Sequence, residues 1–421
     1  MLSPSLRKLV DRRLGSLALP IRIELWDGTR FDLGAAPSIG LMLRRPGLLW
    51  TLLRGDVDGL GMAYVAGDLR VDGRLQDILE VGIALAERLG RAAWLSRLAA
   101  LMPRRRRRHS RAADAAWVRF HYDVSDEFYA LWLDPQLVYS CAYFHTGQED
   151  IATAQEQKLD HLCRKLRLEP GETLLDVGCG WGALLRFAAR HYGVRGTGIT
   201  VSDRQHAYAR RRVAADGLAE RVDIRLQDYR DIGAAERFDK IVSVGMYEHV
   251  GRAHMPLYFG ILARHLKPGG LVLNHGIATT DPDGRSRGPT GGSFIDRFVF
   301  PGGELPHLSR VISEMARQDL EVVDVESLRP HYAATLLHWV RRLEAHKDEV
   351  VRLAGEARYR IWRIYMAGCA IAFERNWLSV YQVLAGKCDD QGALGRPWTR
   401  RHQYVSDDPA LIPPPLDWRG I

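Results

Sequence analysis

Long apolar runs are missing from this chain: nowhere in its 421 residues is there an uninterrupted apolar stretch of about 18, the length a bilayer-spanning helix needs. Cysteine is sparse and unpatterned. Cys141, Cys163, Cys179, Cys369 and Cys388 make no CxxC pair and no metal-ligand spacing, so neither a disulfide framework nor a bound metal is expected. Unpaired thiols suit a reducing compartment, which makes the cytoplasm the expected location. No secretory leader is expected over Met1–Leu19, where Arg7, Lys8, Asp11, Arg12 and Arg13 interrupt the apolar residues.

What is present, 46% hydrophobic and 26% charged residues, is the composition of an ordinary globular protein, and its length exceeds what one core usually serves. Two domains are therefore expected. The net charge of +8 is uneven: residues 1–113 hold 20 Lys and Arg against 11 Asp and Glu, while the rest stands at 39 against 40. The sharpest boundary is Pro103 followed by Arg104, Arg105, Arg106, Arg107, Arg108 and His109. Adjacent like charges repel and stay out of a core, so residues 103–116 read as an exposed basic linker. The run is equally compatible with a solvated tether and with a contact to anionic lipid, where each Arg contributes about 1 kcal/mol.

Residues 1–102 read as a small mixed α/β unit that binds or docks to lipid. Ile21–Leu25 alternates like a half-buried strand, Asp27-Gly28 signals a hairpin, and Leu75–Leu101 puts Leu79, Ile83, Ala86 and Leu89 on one helical face. Further on, strands are predicted at Thr173–Val177, Val194–Thr200, Val222–Leu226, Lys240–Val244 and Leu271–Asn274. Helices are predicted over Ala183–Tyr192 and Asp203–Asp216, with another ending at Leu266 before a Pro268-Gly269-Gly270 turn. Such alternation implies a doubly wound, Rossmann-like parallel sheet with helices on both faces. Beyond residue 331 the chain reads as helical additions to about Lys387, which makes 117–390 the catalytic domain. Residues 391–421, with Pro413-Pro414-Pro415, read as a loosely held tail.

The informative junction is a strand followed by Asp176-Val177-Gly178-Cys179-Gly180-Trp181-Gly182 and a helix. Glycine there lets the backbone turn tightly and lets a ligand lie against it. The Gly178-x-Gly180-x-Gly182 spacing departs from the G-x-G-x-x-G of dinucleotide sites, and Asp176 is placed to engage the amino-acid end of S-adenosylmethionine. A tight turn alone explains one glycine but hardly three. After the second strand, Thr200, Val201 and Ser202 lead to Gln205, where an S-x-x-Q capping box and ligand contact are equally good readings. Gln227, Asp228 and Tyr229 could bracket an adenine between a polar edge and a ring, or form a solvated turn.

With these residues collected, the chain resembles the cyclopropane-fatty-acyl-phospholipid synthase family and its mycolic-acid cyclopropane synthase relatives. The matching stretches include His121-Tyr122-Asp123, Tyr139-Ser140-Cys141-Ala142-Tyr143, the glycine junction and Gln227-Asp228-Tyr229-Arg230-Asp231. Val242 to Gly251, Phe300-Pro301-Gly302-Gly303, Pro330-His331-Tyr332 and Gly368-Cys369-Ala370 complete the set. The resemblance implies methyl transfer from S-adenosylmethionine to a cis double bond of an unsaturated phospholipid, followed by proton loss that closes a cyclopropane ring. It implies bicarbonate as the base, held by Cys141, Glu248, His275, Ile277 and Tyr332, with Cys369 matching a cysteine named as an active residue. It puts Tyr139, Ser140, Gly178, Gly180, Thr200, Gln205, Asp228 and Tyr229 around the cofactor. One departure stands out: the family commonly reads Leu-His-Thr where this chain has Asn274-His275-Gly276.

The residue types suit that chemistry. An alkene is a weak nucleophile, so a dry, shaped site must hold it against the methyl donor. Aromatic faces can stabilise the resulting cation, and Tyr139, Tyr143, Tyr247 and Tyr332 lie in the motifs, two of them expected to be core packing only. His275 and Tyr332 offer donors to an anion, and Glu248 an acceptor. Cys369 reads as pocket lining, since no covalent intermediate is needed. Rival readings are a methyl-branched or methylene product, and a lipid-binding protein without catalysis. A nucleic-acid partner is not expected, because Gly245-Met246-Tyr247-Glu248 replaces the [DN]-P-P-[YF] loop of base methylases. The expected partners are unsaturated phospholipid and the inner face of the cell membrane, met peripherally through Arg104–Arg108, with a homodimer left open.

Overall fold

Two sheets organise the chain in the computed structural model, which describes residues 4–14, 19–90, 125–283, 294, 297–299 and 304–404. The Arg104–Arg108 run, His121-Tyr122-Asp123, Phe300-Pro301-Gly302-Gly303, Pro413–Pro415 and the side chain of Leu89 lie outside the described residues.

The first sheet joins β1 (Ile21–Glu24), β2 (Arg30–Asp32), β3 (Ile39–Leu43) and β4 (Leu69–Asp72) in the order β2-β1-β3-β4. Gly28, at φ +81°, closes the β1–β2 hairpin that Asp27-Gly28 signals. One face of this sheet buries Ile21, Ile23, Leu41 and Leu43 against the helices at Gly47–Leu53 and Val57–Ala66. The Leu75–Gly90 helix then works on two sides. Ile78, Val81 and Leu85 join this first core, while Leu75, Leu79 and Ile83 reach the apolar cluster of the larger part. Arg363 strengthens the seam by donating to Tyr64 Oη at 3.1 Å and to Glu344 Oε1 at 2.7 Å.

The second sheet has seven strands: β5 (Thr173–Val177), β6 (Arg195–Thr200), β7 (Val222–Leu226), β8 (Phe238–Val244), β9 (Leu266–Thr279), β10 (Leu320–Ser327) and β11 (Leu378–Lys387). Their order, β10-β11-β9-β8-β5-β6-β7, has parallel pairing from β9 through to β7, while β11 lies antiparallel between β9 and β10. Helices Ala183–His191, Asp203–Ala215 and Met255–His265 provide the crossovers, giving the doubly wound Rossmann-like architecture the alternation implies.

Three expectations need correcting. The Pro268-Gly269-Gly270 turn is absorbed as an irregularity within β9, where the register with β8 jumps from Phe238↔Leu266 to Lys240↔Leu271. The region past residue 331 is helical only to Glu374, after which β11 enters the sheet. Most of β11 is buried, so it lacks the alternation that marks a half-exposed strand. Residues 391–404 are also held rather than loose. Leu394 is buried against Gly386, Arg400 lies 2.9 Å from Asp324, and the Gln403 carbonyl is 3.2 Å from His161 Nδ1.

Candidate active site

At the carboxyl ends of β5, β6, β7 and β8 a cavity opens, where parallel α/β sheets place their ligands. Its wall carries Tyr139, Ser140, Asp176, Gly178, Gly180, Thr200, Val201, Gln205, Gln227, Asp228 and Tyr229, all singled out from sequence. Gly178 and Gly180 turn the chain at φ +84° and +55°. An added Cβ at Gly180 would meet nothing within 4 Å, whereas at Gly178 it would come 3.2 Å from Met246 Cγ. Gly182 is not part of that wall. It caps the Ala183–His191 helix, and a Cβ there would lie 3.1 Å from Ala209 Cβ, so its role is close packing.

The polar groups of the wall are pinned by their own neighbours. Ser202 Oγ accepts from Gln205 N at 3.3 Å, which makes half a capping box. The Gln205 side chain does not complete it. Its Oε1 accepts from Thr200 Oγ1 at 2.9 Å, and Gln205 also faces the cavity, so the two readings of this residue are compatible. The Asp228 carboxylate is held by Arg230 at 2.7 Å, and that guanidinium lies over the buried Tyr229 ring. Asp176 is 3% exposed, and burial pushes its carboxyl up to about 7.

Beside this cavity, a second group of residues converges through backbone contacts. Glu248 Oε1 accepts from Ile277 N at 2.7 Å, and Ile277 pairs with Val380 on β11. The Val380 carbonyl accepts from Leu328 N, and the Leu328 carbonyl accepts from Tyr332 N. Cys141 Sγ sits 3.8 Å from that same Leu328 oxygen. Cys141, Ile277 and Tyr332 belong to one apolar cluster, which Glu248 adjoins through the Ile277 amide. His275, two residues along the same strand, is 2% exposed, and its Nδ1 lies 3.3 Å from Gln382 Nε2. Burial lowers His275 to about 3, so its imidazole is neutral near pH 7.

Glu248 behaves oppositely. Burial raises its carboxyl to about 7, and its second oxygen, Oε2, is buried with no partner among the described residues. The Asn274-His275-Gly276 departure has a local explanation. A Cβ at Gly276 would fall 2.0 Å from Tyr247 Cε1, so glycine makes room for the tyrosine ring. The Tyr247 hydroxyl donates to the Ile277 carbonyl at 2.6 Å, and the pairing of β9 with β11 runs through Gly276 unbroken. Consecutive residues 247 and 248 thus grip the carbonyl and the amide of Ile277.

The remaining aromatic and cysteine expectations divide. Tyr139 lies on the cavity wall within 5.7 Å of the rings of Tyr129, Trp132 and Trp339. Tyr332 packs against Phe373 and Trp339. Tyr143 is sandwiched between His161 at 4.1 Å and His331 at 4.7 Å, a packing role. Cys369 is half-buried on the Glu356–Glu374 helix, with its thiol pushed up to about 12 by burial. It carries no thiolate at neutral pH. Sequence reasoning missed Lys158, Met246 and His249 on the wall. The signal for Lys158 was a lysine on the apolar face of the Ile151–Leu166 helix, in line with Ala154 and Leu162. Among the described residues no cluster could hold a metal ion.

Residues 109–383 match the family model described as mycolic acid cyclopropane synthetase. A probable fatty acid methyltransferase of Pseudomonas putida is 48% identical over 93% of this chain and 98% of its own length. The cyclopropane-fatty-acyl-phospholipid synthase of Escherichia coli K12 is 36% identical over 66% of this chain and 70% of its own. Among solved structures, the mycolic acid cyclopropane synthase CmaA1 complexed with SAH and CTAB superimposes with a TM-score of 0.62 at 36% identity. It covers 65% of this chain and 98% of that one.

Proposed function

The chain belongs to the mycolic acid cyclopropane synthetase family, and from that premise we propose that it converts the cis double bond of an unsaturated phospholipid acyl chain into a cyclopropane. At the coarser level it is an S-adenosylmethionine-dependent methyltransferase of the cyclopropane synthase type. The bound cofactor supplies an electrophilic methyl group. Held along the wall from Gly178 and Gly180 to Asp228, it would offer that methyl to the double bond, and the Glu248 cluster would receive the proton given up on ring closure.

The observation that carries this reading is the Met246–Val250 turn. Met246, His249 and Val250 line the cofactor cavity, while Glu248 between them reaches Ile277 in the neighbouring cluster. One short turn therefore couples the methyl-donor site to a proton-acceptor site. The aromatic group around Tyr139 keeps the reacting region dry and offers ring faces to positive charge. Bicarbonate fits the second site, because the unpartnered Glu248 Oε2 can accept from its hydroxyl and the neutral His275 can donate to its oxygens. Cys141, Glu248, His275, Ile277 and Tyr332 would hold it, and it would supply the proton acceptor there.

The substrate reading requires a membrane face, and we assign the Arg104–Arg108 run to anionic headgroups there. No helix among the described residues is long and apolar enough to cross a membrane. The test is incubation with S-adenosylmethionine and monounsaturated phospholipid vesicles, followed by lipid mass spectrometry and cleavage of residual double bonds. A gain of one CH2 with loss of the double bond is the expected result. A product that keeps a double bond, or forms only with added reductant, would give the methylene or methyl-branched reading instead, which the relative named as a fatty acid methyltransferase supports.

A further inference from the structure

The Ile151–Leu166 helix buries two lysines, and among the described residues only one of them meets a carboxylate. Lys165 is fully buried with its ammonium 2.5 Å from Glu326 Oε2 and 3.4 Å from Asp324 Oδ2. Lys158, two turns earlier, is 2% exposed and lies on the wall of the cofactor cavity. Its Nζ donates to Ser140 Oγ at 2.9 Å, and among the described residues no carboxylate approaches within the 4.0 Å of an ion pair. The acids that face it are Asp134 and Asp176. Asp134 is committed elsewhere, its two oxygens accepting from Gln136 N and Val138 N at 2.8 Å each. Asp176 lies on the same cavity wall, and among the described residues no donor reaches its carboxylate. Removing an ammonium from water without a counter-ion costs several kcal/mol, and here it depresses Lys158 to about 8.

A buried cation and a buried anion, both turned toward one cavity and separated from each other, match the two ends of an α-amino acid. We propose that Lys158 binds the α-carboxylate of the methionyl part of S-adenosylmethionine, with Ser140 steadying its ammonium and Asp176 taking the α-ammonium. Lys158 is thus the specificity-determining residue for the cofactor's amino-acid end. The proposal rests on the reading of this cavity as the S-adenosylmethionine site. It assigns Lys158 to binding and leaves proton removal to the Glu248 cluster.

The test is a cycle between ligand and residue, using titration calorimetry on the full chain with S-adenosylmethionine and with its decarboxylated analogue. The native protein should bind the analogue about 10–100-fold more weakly, the worth of a hydrogen bond to a charged group. Lys158→Met should lose about the same factor for the intact cofactor and less than threefold for the analogue, so that the two ligands become nearly equivalent. Lys158→Gln, which keeps a donor but no charge, should fall between. The native comparison stands whether or not either variant folds. If the native protein binds both ligands within threefold of each other, Lys158 does not read the carboxylate, and the proposal fails while the cavity assignment survives. Native-like affinity of Lys158→Met for the intact cofactor has the same consequence. No binding of either ligand by the native protein would remove the cavity reading and this proposal together.

Discussion

At the scale of single residues, the candidate site is made of ionisable groups held away from their ordinary protonation states. Burial raises the folded Glu248 carboxyl from 4.5 to about 7. Between those values the folded protein keeps a proton that the unfolded chain has released. The contribution of this group to stability is fully present below about pH 4.5 and is lost as pH rises through about 7. Glu248→Gln removes the ionisation but keeps an oxygen that can accept from Ile277 N. The variant should therefore be more stable than the native protein at pH 8, by about 1–3 kcal/mol, with the gap closing toward pH 5. Its turnover should nevertheless drop roughly 10²–10⁴-fold, the usual worth of a positioned acid–base group. Urea denaturation at both pH values, beside product formation, checks this. A native protein more stable than the variant at pH 8 would mean that the carboxylate is satisfied by a donor, contrary to the site described above.

At the scale of elements, the glycine junction after β5 separates binding from packing within three residues. Gly180 faces open cavity, whereas the missing Cβ of Gly182 lets the Asp203–Ala215 helix approach at Ala209. Both positions carry positive φ, so any side chain adds strain of about 1–2 kcal/mol. Gly180→Val should weaken S-adenosylmethionine binding at least tenfold, because the branched side chain projects where the ligand backs onto the loop. Gly182→Val should act mainly on the fold, lowering the melting temperature more than Gly180→Val does and sparing affinity in whatever fraction is folded. Calorimetric titration and thermal melts on the two variants separate these effects. Equal affinity losses in both would show that the loop acts as one unit.

At the scale of the whole molecule, the Leu75–Gly90 helix and the Tyr64–Arg363–Glu344 contacts join the small N-terminal sheet, with its own apolar core, to the larger part. If Arg104–Arg108 meet anionic headgroups, replacing all five with Ser should reduce flotation with anionic vesicles by about tenfold or more. Raising salt should weaken the native protein in the same way. Native binding that does not differ between anionic and neutral vesicles would leave the run as a tether.

Local pattern is enough to read the parallel half of the sheet, the glycine junction and the cavity-wall residues that follow successive strands. These are local features: alternation of strand and helix, positive-φ glycines, and ligand positions at strand ends that parallel connectivity forces to one edge. The family motifs also carried Glu248, His275 and Tyr332. Which of them meet is set by packing between elements distant in the chain. β11 looked like more helix because a strand buried on both faces has no alternation to read. Yet it is β11 that links Ile277, held by Glu248, to Leu328, whose carbonyl meets Tyr332 N and Cys141 Sγ. Gly276 had no evident reason in the sequence until the Tyr247 ring was found in the space beside it. Lys158 shows the same limit. Periodicity reports that a side chain is buried, but whether a buried charge has a partner depends on groups from elements distant in the chain, and only their packing supplies or withholds one.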